Sequence, residues 1–156
     1  MERWVIERLR GKGLPRPIVD LGGKAHRGQM IEWLGHDRFE TWDARAGRDV
    51  TRVIDAEEML TIPDNQVGAY ICLATFEHVE RPWVAAREIA RTLRGGCNVY
   101  LVAPFIYEFH EAPRDFWRFT PDALEFLFKG LLVKLDGGWL HCPSGRAMSF
   151  YIGGKP

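Results

Sequence analysis

The chain has 156 residues, with 21 basic and 21 acidic side chains, a formal net charge of zero and 46% hydrophobic residues. That length suits one domain with a real core, and the neutral balance provides no global field to draw nucleic acid or an anionic membrane. The apolar runs are too short to cross a bilayer and Met1-Glu2-Arg3-Trp4 starts no basic-then-apolar signal pattern, so the expectation is a single cytoplasmic domain over residues 1–156.

Residues 1–16 read as an N-terminal helix and linker. Trp4, Val5, Ile6 and Leu9 recur among charges at helical spacing, and Gly11, Gly13, Pro15 and Pro17 then break the pattern. Pro17-Ile18-Val19-Asp20-Leu21-Gly22-Gly23-Lys24 follows, an apolar run ending in an acidic residue and a glycine pair. A buried parallel strand needs apolar side chains on both faces. The glycines let the backbone turn sharply beside a ligand. The dinucleotide fingerprint is incomplete, because Lys24 and Arg27 stand where it calls for glycine. Gly28–Leu34 reads as a short helix closed by Gly35, and Phe39–Trp42 as a second strand with Asp43 at its tip. A carboxylate there is placed to accept from ribose hydroxyls.

Val50–Ile54 is a third strand candidate, followed directly by Asp55-Ala56-Glu57-Glu58. Gly68–Leu73 reads as a buried strand and Pro82–Leu93 as the clearest helix, ended by Gly95-Gly96. Asn98–Ala103 is another strand, stopped by Pro104. Phe105–Phe119 is long, aromatic and irregular. Thr120 caps a helix that begins at Pro121 and runs to Gly130, and Leu131–Leu135 and Ala147–Ile152 are the last strands. The alternation predicts an α/β, doubly wound, Rossmann-like and mostly parallel sheet, a three-layer sandwich with an antiparallel hairpin at one edge. Ligands in such sheets bind at the carboxyl ends of the strands, where Asp20, Asp43, Asp55, Thr75 and Pro104 fall. Cys72, Cys97 and Cys142 match no zinc spacing and no disulfide framework, and no metal site is expected.

Taken in order, Ile18-Val-Asp-Leu-Gly-Gly, Asp55-Ala-Glu-Glu-Met-Leu-Thr-Ile-Pro-Asp-Asn, Thr75-Phe-Glu-His-Val and Ala86-Arg-Glu-Ile-Ala-Arg-Thr-Leu-Arg-Gly-Gly resemble the class I S-adenosylmethionine-dependent methyltransferases of the type 11-like kind. Pro104–Pro121, with Asp115-Phe-Trp-Arg-Phe-Thr-Pro, resembles a subgroup found with polysaccharide and natural-product pathways. The resemblance implies S-adenosylmethionine as cofactor. It implies a first cofactor loop at Asp20, Gly22 and Gly23, ribose contacts from Asp43, adenine contacts from Asp55 and Ala56, and Thr75 and Phe76 beside the methionine end. The chain departs from the family where Lys24 and His26 replace two loop glycines and where Gly68 replaces an acidic residue.

A hydroxyl acceptor calls for a general base, and His78 and His110 are the catalytic candidates because imidazole titrates near neutral pH. Glu77 is read instead as a capping or salt-bridging residue. Tyr107, Arg114, Asp115 and Arg118 are the substrate-binding candidates, set among aromatic residues that could wall an acceptor site. Phe105, Trp117 and Phe119 are read as mainly structural. The leading reading is methyl transfer to a small molecule, with no nucleic-acid or membrane partner and the oligomeric state open. Its rivals are a degenerate, non-catalytic methyltransferase-like binding or scaffold domain, closed by Lys24 and His26, and a nicotinamide-dependent (NAD) oxidoreductase.

Overall fold

The computed structural model describes residues 2–9, 13–23, 39–111 and 113–156. The expected helix at Gly28–Leu34 and the side chains of Lys24 and His26 lie outside these residues. Among them are seven strands: β1 (Ile18–Leu21), β2 (Phe39–Asp43), β3 (Arg52–Val53), β4 (Val67–Leu73), β5 (Leu93–Ile106), β6 (Val133–His141) and β7 (Ala147–Gly154). Three α-helices are described, α1 (Glu2–Leu9), α2 (Pro82–Thr92) and α3 (Pro121–Phe128), with a 3-10 turn at Phe76–His78.

The strands form one sheet in the order β3-β2-β1-β4-β5-β7-β6. β3, β2, β1, β4 and β5 run parallel, β7 is antiparallel to β5, and β6 pairs antiparallel with β7. The expected α/β fold with an edge hairpin is what forms. All seven residues of β4 are buried, as a central strand covered on both faces requires. One face carries Val19, Leu21, Trp42, Tyr70, Leu101 and Tyr151 against α2 and α3. The other carries Ile18, Phe39, Ile71, Val102 and Phe150, with Leu9 and Trp4 of α1 packed there.

Strands β3, β5 and β6 differ in extent from their sequence reading, β3 keeping only Arg52–Val53 of the expected Val50–Ile54. The glycine pair at 95–96 does not end α2. That helix stops at Thr92 because Leu93 is already extended and pairs with Val67. Gly96 N–H then donates to Lys155 O at 2.9 Å and Lys155 N–H to Cys97 O at 3.0 Å, so the last residues of the chain prolong the ladder. Pro104 does not stop β5 either. It pairs with Met148, and a register shift follows before Ile106 meets Ala147. β6 runs to His141 rather than ending near Leu135 because its pairing with β7 continues past the glycines at 137 and 138.

Gly68 has a steric explanation. A Cβ there would lie 2.0 Å from the backbone oxygen of Pro15, and Gly68 N–H donates to Pro17 O at 2.9 Å. The linker after α1 crosses the start of β4 too closely for any side chain, acidic or not.

Arg91, in the last turn of α2, fixes the loop between β3 and β4. Its Nη2 donates to Met59 O at 3.0 Å and its Nη1 to Ile62 O at 3.0 Å, while its head also pairs with Asp64 and Glu88. Arg91→Met is expected to cost about 2–3 kcal/mol, since charged hydrogen bonds to backbone carbonyls are lost together. Arg91 holds the Glu88 carboxyl below the usual carboxylate range. That contribution is present above the unfolded pKa of about 4.3 and fades as pH falls through the lower folded value. Urea titrations should therefore show a larger gap between wild type and variant at neutral pH than in acid.

Candidate functional site

At the carboxyl ends of the parallel strands lies a cavity of about 860 Å³. Leu21 and Gly22 after β1, Trp42 and Asp43 at the end of β2, Ile54 to Glu57 after β3, and Ala74 and Thr75 after β4 supply its floor and sides. His78, Val79, Pro113, Arg114 and Phe116 close it from above. A volume of that order suits a nucleoside-sized ligand, for which about 300–1,000 Å³ is usual.

The glycine loop is built from contacts between neighbouring strand ends. Gly22 has φ +78°, in the left-handed region, and a Cβ there would come within 2.5 Å of Thr75 Cγ2. Thr75 Oγ1 donates to Leu21 O at 2.7 Å, tying the end of β4 to the end of β1. Ala74 turns the chain between them with φ +52°, an uncommon conformation for a residue with a side chain. Gly23 lies over the Asp20 carboxylate, since a Cβ at 23 would sit 1.7 Å from Asp20 Oδ2.

Two carboxylates line the cavity. Asp43 Oδ1 accepts from Arg45 N–H at 2.8 Å, and Asp55 Oδ1 accepts from Glu57 N–H at 2.8 Å. These local turns fix each side chain by one oxygen. Apolar surface between them comes from Trp42, Ile54 and Ala56, all buried in the fold.

The irregular segment after β5 is pinned over the 3-10 turn. Phe116 N–H donates to Glu77 O at 2.7 Å, and Trp117 Nε1–H donates to Val79 O at 2.9 Å. His78 Nδ1 donates to Arg114 O at 2.5 Å. Asp115 and Arg118 brace the segment: Arg118 Nη2 lies 2.8 Å from Asp115 Oδ2 and 3.0 Å from Glu108 O, and His110 N–H donates to Asp115 Oδ2 at 2.8 Å. Arg118 holds the Asp115 carboxyl well below the usual range.

Of the residues singled out in the sequence, the cavity brings together Gly22, Asp43, Asp55, Ala56, Thr75, His78 and Arg114. The others stand elsewhere. Asp20 is fully buried, beneath the loop rather than on the cavity wall. Gly23 is buried above it and does not line the cavity either. Phe76 is fully buried in the core, edge-on to Phe119 and tilted against Phe128, because the 3-10 turn points it inward. Asp115 and Arg118 are spent on each other and on the loop backbone. Tyr107 lies under the Arg146 guanidinium, 4.5 Å from it, and against His110. His110 sits behind His78, with ring centroids 5.0 Å apart.

Glu77 does not cap and makes no hydrogen bond through its carboxylate among the described residues. The side chain is fully buried, and its Oε1 lies 3.8 Å from His78 Nε2 and 3.7 Å from His110 Nε2. Burial pushes its carboxyl up to about 8. A single acidic residue beside a histidine gives no sign of burial in a sequence. Only the fold reveals that this one faces inward.

Comparison with known proteins agrees with this geometry. The methyltransferase domain family of type 11 matches residues 27–101. No sequence among the curated proteins matches. Solved structures share the fold at low identity. A chain of the complex between the Haloferax volcanii Trm112 methyltransferase activator and a methyltransferase superposes with a TM-score of 0.79 at 14% identity, covering 99% of this chain and 88% of that one. An S-adenosylmethionine-dependent methyltransferase from Aquifex aeolicus gives 0.67 at 12% identity, covering 97% and 88%. The Burkholderia thailandensis 1,6-didemethyltoxoflavin-N1-methyltransferase, solved with that compound and S-adenosylhomocysteine, gives 0.71 at 15% identity, covering 92% and 72%. The fold throughout is similar to that of S-adenosylmethionine-dependent methyltransferases, and from residue 27 to residue 101 the sequence matches the methyltransferase domain family.

Proposed function

We propose that the protein is an S-adenosylmethionine-dependent methyltransferase acting on a small polar molecule of the saccharide or natural-product-intermediate kind. The observation that carries this reading is the cavity itself: two carboxylates from successive strand ends flank an apolar slot beside a glycine turn. Asp43 is assigned to the ribose hydroxyls, Asp55 and the backbone at Ala56 to the adenine edge, and Gly22 and Thr75 to the methionine end. Among the described residues no phosphate cradle lines the cavity.

When bound, the cofactor supplies a methyl group already activated on a sulfonium. The chain's own share is position: the acceptor must be held in line with that methyl at near-attack distance. Pro113, Arg114 and Phe116 roof the slot and exclude water from it. Among the described residues Arg114 is the cation on that roof, suited to orient an acidic or hydroxyl-bearing acceptor. His78 lines the cavity wall beside that roof, its ring fixed by the bond from Nδ1 to Arg114 O.

Calorimetric titration of the purified chain with S-adenosylmethionine, S-adenosylhomocysteine and NAD tests the reading. Both sulfur compounds should bind and NAD should not. A ligand present at about a hundred times its Kd should stabilise the fold by about 2.7 kcal/mol. If a folded sample binds neither sulfur compound at millimolar concentration, the non-catalytic reading replaces this one.

A further inference from the structure

Behind the cavity roof, three ligand-type side chains converge on one point. Glu77, His78 and His110 each direct one donor atom there, and these atoms all lie within 4.8 Å of one another. Glu77 comes from the 3-10 turn after β4, its carboxylate fully buried and without a hydrogen-bond partner among the described residues. His110 reaches it from the irregular segment after β5.

The outer nitrogens of the two imidazoles set the chemistry of the inner ones. His78 Nδ1 meets Arg114 O at 2.5 Å, and His110 Nδ1 meets Glu108 O at 3.1 Å with Asp115 Oδ2 at 3.4 Å. Carbonyl and carboxylate oxygens only accept, so each Nδ1 carries the proton. In the neutral rings both Nε2 atoms then present lone pairs, and they present them to the carboxylate. A buried carboxylate facing two lone pairs without a donor is costly until a proton or a metal cation sits between them. Outer carbonyl and carboxylate partners of this kind are what orients a metal-bound imidazole.

Two of the three ligand spacings come close to what such an ion needs. Bonds of about 2.0–2.2 Å from Zn²⁺ to nitrogen and oxygen place tetrahedral ligand atoms roughly 3.4 Å apart. Glu77 Oε1 is already 3.8 Å from His78 Nε2 and 3.7 Å from His110 Nε2. The cluster needs to close by only a few tenths of an ångström on that side.

We propose that Glu77, His78 and His110 bind a divalent transition-metal ion of the Zn²⁺ type, in place of the metal-free site expected from the sequence. Three protein ligands leave a coordination position open. His78 and Arg114 belong to both the cluster's surroundings and the cavity wall, so the open position is assigned to an oxygen of the methyl acceptor, a hydroxyl or carboxylate. That last assignment rests on the methyltransferase reading; the metal site itself does not.

The test uses the full chain stripped with chelator and titrated with Zn²⁺ against a chromophoric competitor, and with Co²⁺ followed by visible absorption. One Zn²⁺ per chain should bind at micromolar Kd or tighter. Glu77→Gln and His110→Ala should each weaken it at least about tenfold and remove the Co²⁺ bands. Cys142→Ser, which removes a partly exposed thiol, should leave binding unchanged. His110 lies on an irregular, partly exposed segment, so its variant keeps the result interpretable if the Glu77 variant fails to fold. Absence of Zn²⁺ binding to the folded chain, or binding that survives His110→Ala, overturns the proposal and leaves the cluster holding a proton instead. Binding of S-adenosylhomocysteine to the metal-free chain is scored separately: zinc without that ligand keeps the metal site and ends only the acceptor assignment.

Discussion

Phe76→Ala is expected to lower the free energy of unfolding by about 3–5 kcal/mol, the usual cost of removing a buried phenyl ring. The ring is fully buried between the sheet and α3, with centroids 6.5 Å from Phe119 and 6.2 Å from Phe128. Removing it leaves a void that backbone on both sides cannot readily fill. The residue follows Thr75 directly, so its sequence position alone suggests a cofactor contact. Its orientation separates the two roles. Phe76→Leu should recover most of the stability and leave S-adenosylhomocysteine affinity close to wild type. Urea unfolding read by tryptophan fluorescence, paired with calorimetric titration, checks both. A large loss of affinity with little loss of stability would put the ring back against the cofactor.

Asp43→Ala should have the opposite profile. On the proposed reading its carboxylate accepts from ribose hydroxyls, and hydrogen bonds to a charged group contribute about 1.5–3 kcal/mol. The Kd for S-adenosylhomocysteine should rise about tenfold to a hundredfold. Within the protein the side chain makes one local bond, to Arg45 N–H, so the unfolding free energy should change by no more than about 1 kcal/mol. Asp43→Asn keeps an acceptor without the charge and should fall between. An affinity equal to wild type would remove Asp43 from the site.

These two residues mark what can be read along a chain and what cannot. Asp43 was legible because it ends an apolar run, and a strand's end is a place as well as a pattern. The same reasoning located Asp55 and Thr75, and the α/β sheet with its antiparallel edge follows from the alternation of strand-like and helix-like periodicities. Phe76 was not legible. Next to a strand end, one residue can face the cavity and its neighbour the core, and only the 3-10 turn decides which. Asp20 illustrates a related gap. It sits at a strand end too, but its carboxylate lies under Gly23, so it supports the loop from below.

The segment from 105 to 119 was the least legible. Arginine, aspartate and aromatic residues in an irregular stretch look like free substrate contacts. Folded, Asp115 and Arg118 close on each other and on Glu108 O and His110 N–H. Glu77 is the converse case. Its neighbours suggest an ordinary helix-start acid, yet its side chain is fully buried beside the cavity. Its approach to His110 joins residues more than thirty positions apart, and no local periodicity encodes it.

The sheet's margins have a consequence for behaviour at high concentration. At one margin β3 offers two residues, too few to template another strand. At the other, β6 carries Lys134 and Asp136 around a register shift, with Lys134 Nζ 2.5 Å from Glu125 Oε2. Charges and an irregularity of this sort discourage a second chain from adding on. Val133, Leu135 and Trp139 can therefore remain exposed on that strand without seeding fibrous growth, and colloidal association of this protein, where it occurs, should proceed through side-chain surfaces and leave the backbone ladder at seven strands.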